Sequence, residues 1–259
     1  AGLEAQRVIL VPGARDVNLA ACEAYFNDCK ADDERPESPY WPKWRHFSSL
    51  FREFYQGVDS IMFDSAQPWT LFAVPELKVV VAGLNSTMAI SHRVEHRFGL
   101  VGESQTAWFA ERIRTFEREG WLRLGVLHHS LTPGQTDSLT DRDSVDGLLG
   151  GKLHAILQGS GRDENPNTLS QGALCLPRLE PGRQQVLEFT ADALIVHRSA
   201  VPANRIERRW ASVGGVFPVS GSALESISVD GPEPDHQLTT QVRGPSGRLL
   251  DRIAEACET

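Results

Sequence analysis

Apolar and polar positions divide the chain into short runs whose periods change along its length. Arg7–Val11 is an apolar, β-branched run ending at Pro12-Gly13, which predicts a buried strand entering a tight loop. Asn18–Cys29 has Leu19, Cys22, Tyr25 and Phe26 at helical spacing, and Phe47–Tyr55 places Phe47, Leu50, Phe51 and Phe54 on one helical face. Residues 30–42, charged and proline-bearing, read as a surface loop between these helices. Trp69–Val74 and Leu77–Gly83 read as strands around a Pro75-Glu76 turn. Ser104–Glu119 is a helix with Trp108, Phe109, Ile113 and Phe116 as its apolar positions. Arg123–Leu127 is a strand, Ser138–Leu149 a helix, and Leu153–Leu157 another buried strand. Leu174–Leu176, Gln185–Phe189 and Leu194–His197 then follow as strands joined by short turns. Strand–helix alternation giving way to a meander predicts an α/β fold, a two-sheet sandwich flanked by helices.

From Ser220 the composition shifts to Ser, Gly, Pro and acids, so residues 1–219 read as one domain and 220–259 as a linker and a C-terminal helix, Leu249–Cys257, which could lead to another domain. The formal net charge of −8 argues against an extended nucleic-acid surface, though not against a small anion pocket. No apolar run approaches a membrane span and no signal peptide is visible, which together with the cysteines predicts a cytoplasmic protein. Cys22, Cys29, Cys175 and Cys257 form no Cys-x-x-Cys pair and read as reduced thiols; Cys22 and Cys29, seven apart, fall on one helical face, as half-buried thiols or as part of a metal site.

Candidate chemistry lies where the predicted strands end. Residues 9–18 read Ile-Leu-Val-Pro-Gly-Ala-Arg-Asp-Val-Asn. Gly83-Leu84-Asn85-Ser86 follows one strand, and Gly99-Leu100-Val101-Gly102-Glu103-Ser104-Gln105 with Trp108 opens a helix. Gly125-Val126-Leu127-His128-His129-Ser130-Leu131 and Leu157-Gln158-Gly159-Ser160-Gly161-Arg162 end two more strands. In this order the segments resemble the landmarks of the calcineurin-like metallophosphoesterases: Val-Pro-Gly-Asn-His-Asp-Val-Asn, the Gly-x-x-Gly-x-x-Gln…Trp helix start, Leu-His-His-Pro-Leu and Leu-His-Gly-His-x-His. The resemblance runs from about Arg7 to Trp210, whose Arg205–Arg209 cluster is similar to a closing Arg-Arg-x-Trp strand.

The resemblance implies a site built for two divalent cations, which orient a phosphate and generate hydroxide from a bridging water. Such a site needs carboxylates, an amide oxygen and several imidazoles. Here the positions depart from that pattern. The amide ligand is replaced by Ala14 and the catalytic His by Arg15; the two His of the last loop are replaced by Ser160 and Arg162. Asp16 is retained, which in the family fixes the loop, and so is the pair His128-His129, one of which would be a ligand. The Asp-x-His and Gly-Asp motifs that normally come first are absent from the thirteen residues up to Gly13, and the chain begins with Ala1, so an upstream segment or a complementing chain is expected to carry those strands. Two guanidiniums would also repel a second metal, since unit charges about 4 Å apart interact by roughly 4 kcal/mol at an effective dielectric of 20.

The expectation is therefore a degenerate, catalytically inactive phosphoesterase-like module, with no metal cofactor. It would serve sensing, ligand binding or scaffolding in a larger bacterial signalling or antiviral defence protein, as relatives joined to STAND-type nucleotide-hydrolysing domains do. Arg15, His128, His129 and Arg162 would form a metal-free pocket for a nucleotide or phosphorylated ligand. Other domains or protein partners are also expected. The alternative is an active metal-dependent phosphodiesterase or phosphatase with a rearranged or single-metal site, holding Mn, Zn or Fe through His128 and His129. A protein-interaction domain with no small-molecule site is the third reading. His92 and His96 have the spacing of a zinc pair but lack the Glu of His-Glu-x-x-His, and read as solvated loop or helix; His154 reads as a core or edge residue of its strand.

Overall fold

In the computed structural model, residues 4–134, 137–160, 167–176, 178, 185–190, 193–198, 204–210 and 224–227 are described. The region read as strand–helix alternation forms a mixed six-stranded sheet together with Leu174–Leu176, which reads in the sequence as part of the antiparallel meander and instead pairs parallel with Ala155–Gln158. Its strands are β1 (Thr70–Val74), β2 (Val79–Gly83), β3 (Leu122–Leu127), β4 (Ala155–Gln158), β5 (Asn167–Thr168) and β6 (Leu174–Leu176), in the spatial order β1-β2-β3-β4-β6-β5. The pairs β2–β3, β3–β4 and β4–β6 are parallel, whereas β1 and β5 close the two edges antiparallel. The carboxyl ends of β2, β3, β4 and β6 therefore lie along one edge of the sheet.

The rest of the meander forms a second, antiparallel sheet of β7 (Gln185–Phe189), β8 (Ala193–Arg198), β9 (Asn204–Trp210) and β10 (Leu224–Ile227). Side-chain alternation along the strands of the first sheet supplies both of its faces. Leu71, Ala82 and Ile156 pack with Phe109, Ile113, Val145 and Leu149 from the helical side. On the other face Phe72 and Val81 meet Trp44, Phe47 and Phe51, while Ala155, Leu174 and Leu176 pack on Leu194 and Val196 of the second sheet. The protein is thus α/β, with a mixed sheet, a second sheet sharing an apolar cluster with it, and helices.

The helices are α1 (Leu19–Ala31), α2 (Arg45–Phe54), α3 (Glu103–Arg118) and α4 (Arg142–Val145), the last running into a π-turn over Asp146–Gly150. Asn18 caps α1, its side-chain oxygen accepting from the Ala21 N–H at 2.9 Å. Cys22 and Cys29 share the buried face of α1 as free thiols, and Cys175 is buried in β6. Among the described residues no helix is long and apolar enough to cross a membrane.

Several expectations are corrected. Arg7–Val11 is not a strand: Ala5–Arg7 is a 3-10 turn and Val8–Val11 is irregular. Its backbone is satisfied by a side chain instead, because the Tyr55 hydroxyl donates to the Val8 carbonyl (2.6 Å) and accepts from the Leu10 N–H (3.1 Å). The apolar face of α2 is narrower than its spacing suggested: Phe47 and Phe51 are buried, while Leu50 is 55% and Phe54 39% exposed. The helix expected from Ser138 begins only at Arg142, since Ser138 and Leu139 bridge to Ser130 and Gly99, and the Thr140 N–H donates to the Gly99 carbonyl. Leu224–Ile227, inside the stretch read as linker, pairs with β9 as a strand. The Leu249–Cys257 helix falls outside the described residues.

Candidate functional site

A cleft of about 890 Å³ opens at the carboxyl edge of the parallel strands. This is where open α/β sheets bind ligands, because the loops leaving adjacent strands diverge there. Its floor is Leu127, His128 and His129 after β3, and Leu157, Gln158, Gly159 and Ser160 at the end of β4. The Ala14–Asp16 3-10 turn lies across it, held by the Asp16 carboxylate, which accepts from the Gly13 N–H at 2.8 Å. The loop after β2 brings Ile90 and Arg97, and Asp137 and Arg178 complete the charged lining.

Ala14, Arg15, Asp16, His128, His129 and Ser160 therefore share one cavity, although they come from three separate segments. Arg162 lies outside the described residues. Three lining residues were not singled out from the sequence: Arg97, Asp137 and Arg178. Arg97 and Asp137 sit in irregular polar stretches. Arg178 was within reach of a rule, since it follows β6 at the same edge as the other strand ends.

The two histidines have separate roles. The His128 ring is confined by two glycines: a Cβ on Gly13 would lie 3.1 Å, and one on Gly159 3.3 Å, from its Nδ1. Burial lowers the His128 pKa, opposed by the carboxylates of Asp137 and Asp16 and reinforced by Arg178, so the ring is neutral at neutral pH. His129 sits deeper. Ser86 Oγ accepts from the backbone N–H groups of His128 (3.2 Å) and His129 (3.1 Å) and lies 2.9 Å from His129 Nδ1. The hydroxyl and Nδ1 thus share a hydrogen bond that holds the ring against the strand end. Burial, helped by neighbouring His128, pushes its pKa down to about 4. Gly99 closes over the ring, where a Cβ would stand 2.7 Å from Cγ. His129 is thus a packed, hydrogen-bonded support, and His128 is the imidazole presented to the cleft.

The charges in the lining come from arginine. Arg15 and Arg97 are exposed and have no salt-bridge partner among the described residues. Among the described residues, three guanidiniums (Arg15, Arg97, Arg178) against two carboxylates (Asp16, Asp137) leave the lining at +1, in a chain of net charge −8. Ser160 is only 4% exposed, and its hydroxyl has no hydrogen-bond partner among the described residues. A buried hydroxyl without a partner is uncommon and marks a place where a ligand atom or water completes the bonding.

The described donors do not fit a two-metal centre. Ala14 offers no atom, Ser160 offers a neutral hydroxyl, and His129 Nδ1 is engaged by Ser86. Among the described residues no three His, Cys, Asp or Glu side chains gather in a metal-binding arrangement. His92 and His96 are not on one helical face, since only Val94–His96 is helical and as a 3-10 turn; the His92 ring packs edge-on against Phe26 and the His96 ring stacks on Tyr40. His154 precedes β4 and is buried, its Nδ1 accepting from the Arg123 N–H at 3.0 Å. No family model matches the chain, and no curated protein matches it.

Proposed function

We propose that the chain is a catalytically inactive phosphoesterase-like module that uses this cleft as a metal-free anion site, within a larger cytoplasmic bacterial signalling or defence protein. The observation that carries the reading is that Arg15 and Arg97, in the same cavity as Ala14 and Ser160, have no salt-bridge partner among the described residues. Where the resembling family would set metal ligands, the lining offers guanidinium charge, and guanidinium binds phosphate oxygens through paired N–H donors. The neutral His128 adds a hydrogen-bonding ring rather than a charge. The resemblance to calcineurin-like phosphoesterases rests on the order of the sequence landmarks, and the mixed sheet with a second sheet beside it is compatible with it.

Isothermal titration calorimetry with inorganic phosphate and nucleotides, with and without EDTA, tests this. Binding that EDTA leaves unchanged, with no turnover of bis-p-nitrophenyl phosphate, is the expected result. Binding abolished by the chelator, or turnover restored by Mn, Zn or Fe and lost in the His128→Ala/His129→Ala double variant, would establish the metal-dependent hydrolase instead.

A further inference from the structure

We infer that the cleft is built for a nucleoside monophosphate, its phosphate held by Arg15, Arg97 and the Ser160 hydroxyl and its base lying on the apolar wall of Leu19, Ile90 and Val126. This rests on the anion reading above and narrows it to one ligand class. Three features of the lining point the same way.

The first is the pairing of charge with apolar surface. Leu19, Ile90 and Val126 all line the cleft and all belong to one apolar cluster, so the cleft carries apolar surface as well as charge. Arg15 stands four residues before Leu19, and Arg97 is on the loop that follows Ile90, so the segments that bring the apolar side chains also bring the cations. A ligand with phosphate alone would leave the wall wet; a planar base covers it, and a guanidinium can also stack on a base. The second is charge. The described lining of +1 offsets part of the dianion of one phosphate ester, whereas a triphosphate would leave these residues facing a much larger uncompensated negative charge. The third is size. The cleft's 890 Å³ falls within the roughly 300–1,000 Å³ of pockets that enclose small molecules.

Titration of the full chain in EDTA with inorganic phosphate, ribose 5-phosphate, AMP, adenosine and a phosphoserine peptide decides the matter. AMP is expected to bind at least about ten-fold more tightly than phosphate or ribose 5-phosphate. Arg97→Ala should weaken phosphate and AMP alike, while Leu19→Ser should weaken AMP about ten-fold and leave phosphate unchanged. Leu19 is partly exposed in the first turn of α1, and if Leu19→Ser fails to fold the ligand series on the unaltered chain still decides. Phosphate binding with no gain for AMP, or a phosphopeptide that binds more tightly than AMP, overturns the nucleotide and leaves the anion site standing. Absence of binding by every phosphate overturns the anion reading and this inference with it.

Discussion

Lys43 and the arginines of the cleft are placed in opposite ways. Lys43 is fully buried, and its ammonium donates to the carbonyls of Thr87 (3.0 Å), Met88 (2.7 Å) and Ile90 (2.8 Å), with the Trp44 ring 4.3 Å away. Its own carbonyl accepts from the Asn18 N–H at 2.8 Å. All three ammonium protons are used, so Lys43 ties the loop after β2 to the start of α1 and has nothing left to offer a ligand. Arg15 and Arg97, which enter the cleft from those same two segments, are exposed and unpaired among the described residues. The buried cation is consumed by the fold; the cleft cations are held in place by it and remain available. A cation in a concave site is evidence for a ligand only when the fold has not already used it.

The largest effect expected from this contrast concerns Lys43. Burial pushes its pKa down to about 7, against an ordinary 10.5. Between those values the unfolded chain binds more protons than the folded one, so the Lys43 contribution to stability rises with pH across that window, while the three carbonyl bonds favour the ammonium and oppose the shift. Lys43→Met removes this rise. At pH 7 it also orphans three carbonyls, and at about 1–3 kcal/mol for each buried unpaired group the variant should lose several kcal/mol. Urea unfolding of both proteins at pH 7 and pH 9 measures each part. A Lys43→Met variant as stable as the parent at pH 7, with the same pH slope, would show that the three carbonyl bonds do not hold the fold.

The same contrast explains what the sequence could disclose. The helices α1, α2 and α3 and the strands β1 to β4 were legible because their apolar spacing matches the surfaces they bury. Arg7–Val11 misled because its backbone partner is the Tyr55 hydroxyl, a contact some 45 residues distant that no local period can reveal. Lys43 follows the stretch 30–42 that reads as a surface loop, and nothing local marks its burial, which depends on three carbonyls from another loop. In the cleft, Ala14 and Arg15 of the 3-10 turn and the strand-end residues His128 and Ser160 could be picked out by motif order. Arg97 and Asp137 could not, because irregular loops bring them there. The division of labour between the two histidines was equally hidden. It arises from the Ser86 hydroxyl beneath His129 and the glycines around His128.

A smaller effect separates those histidines. His129 has a pKa of about 4 in the fold against an ordinary 6.5, so between these values the unfolded state again binds the extra proton. Stability is constant above pH 6.5 from this source and falls as the pH is lowered toward 4, by about 3 kcal/mol in full. His129→Asn should flatten that acid limb in urea unfolding. An unchanged limb would place the titration elsewhere and remove the distinction between a support histidine and a cleft histidine.

The smallest expected change is the most discriminating. If Arg15 and Arg97 are free of the fold's own bonding, Arg15→Ala and Arg97→Ala should each alter stability by no more than about 0.5 kcal/mol, as for surface positions outside any network. Both should nevertheless weaken phosphate binding and flatten its dependence on salt, because each removes a charge the anion meets directly. Denaturation midpoints and calorimetry on the same preparations give the two readings side by side. A loss of more than about 1 kcal/mol in either variant would mean that its guanidinium is engaged by the protein as the Lys43 ammonium is, and the cleft would then lose its claim to an available cation.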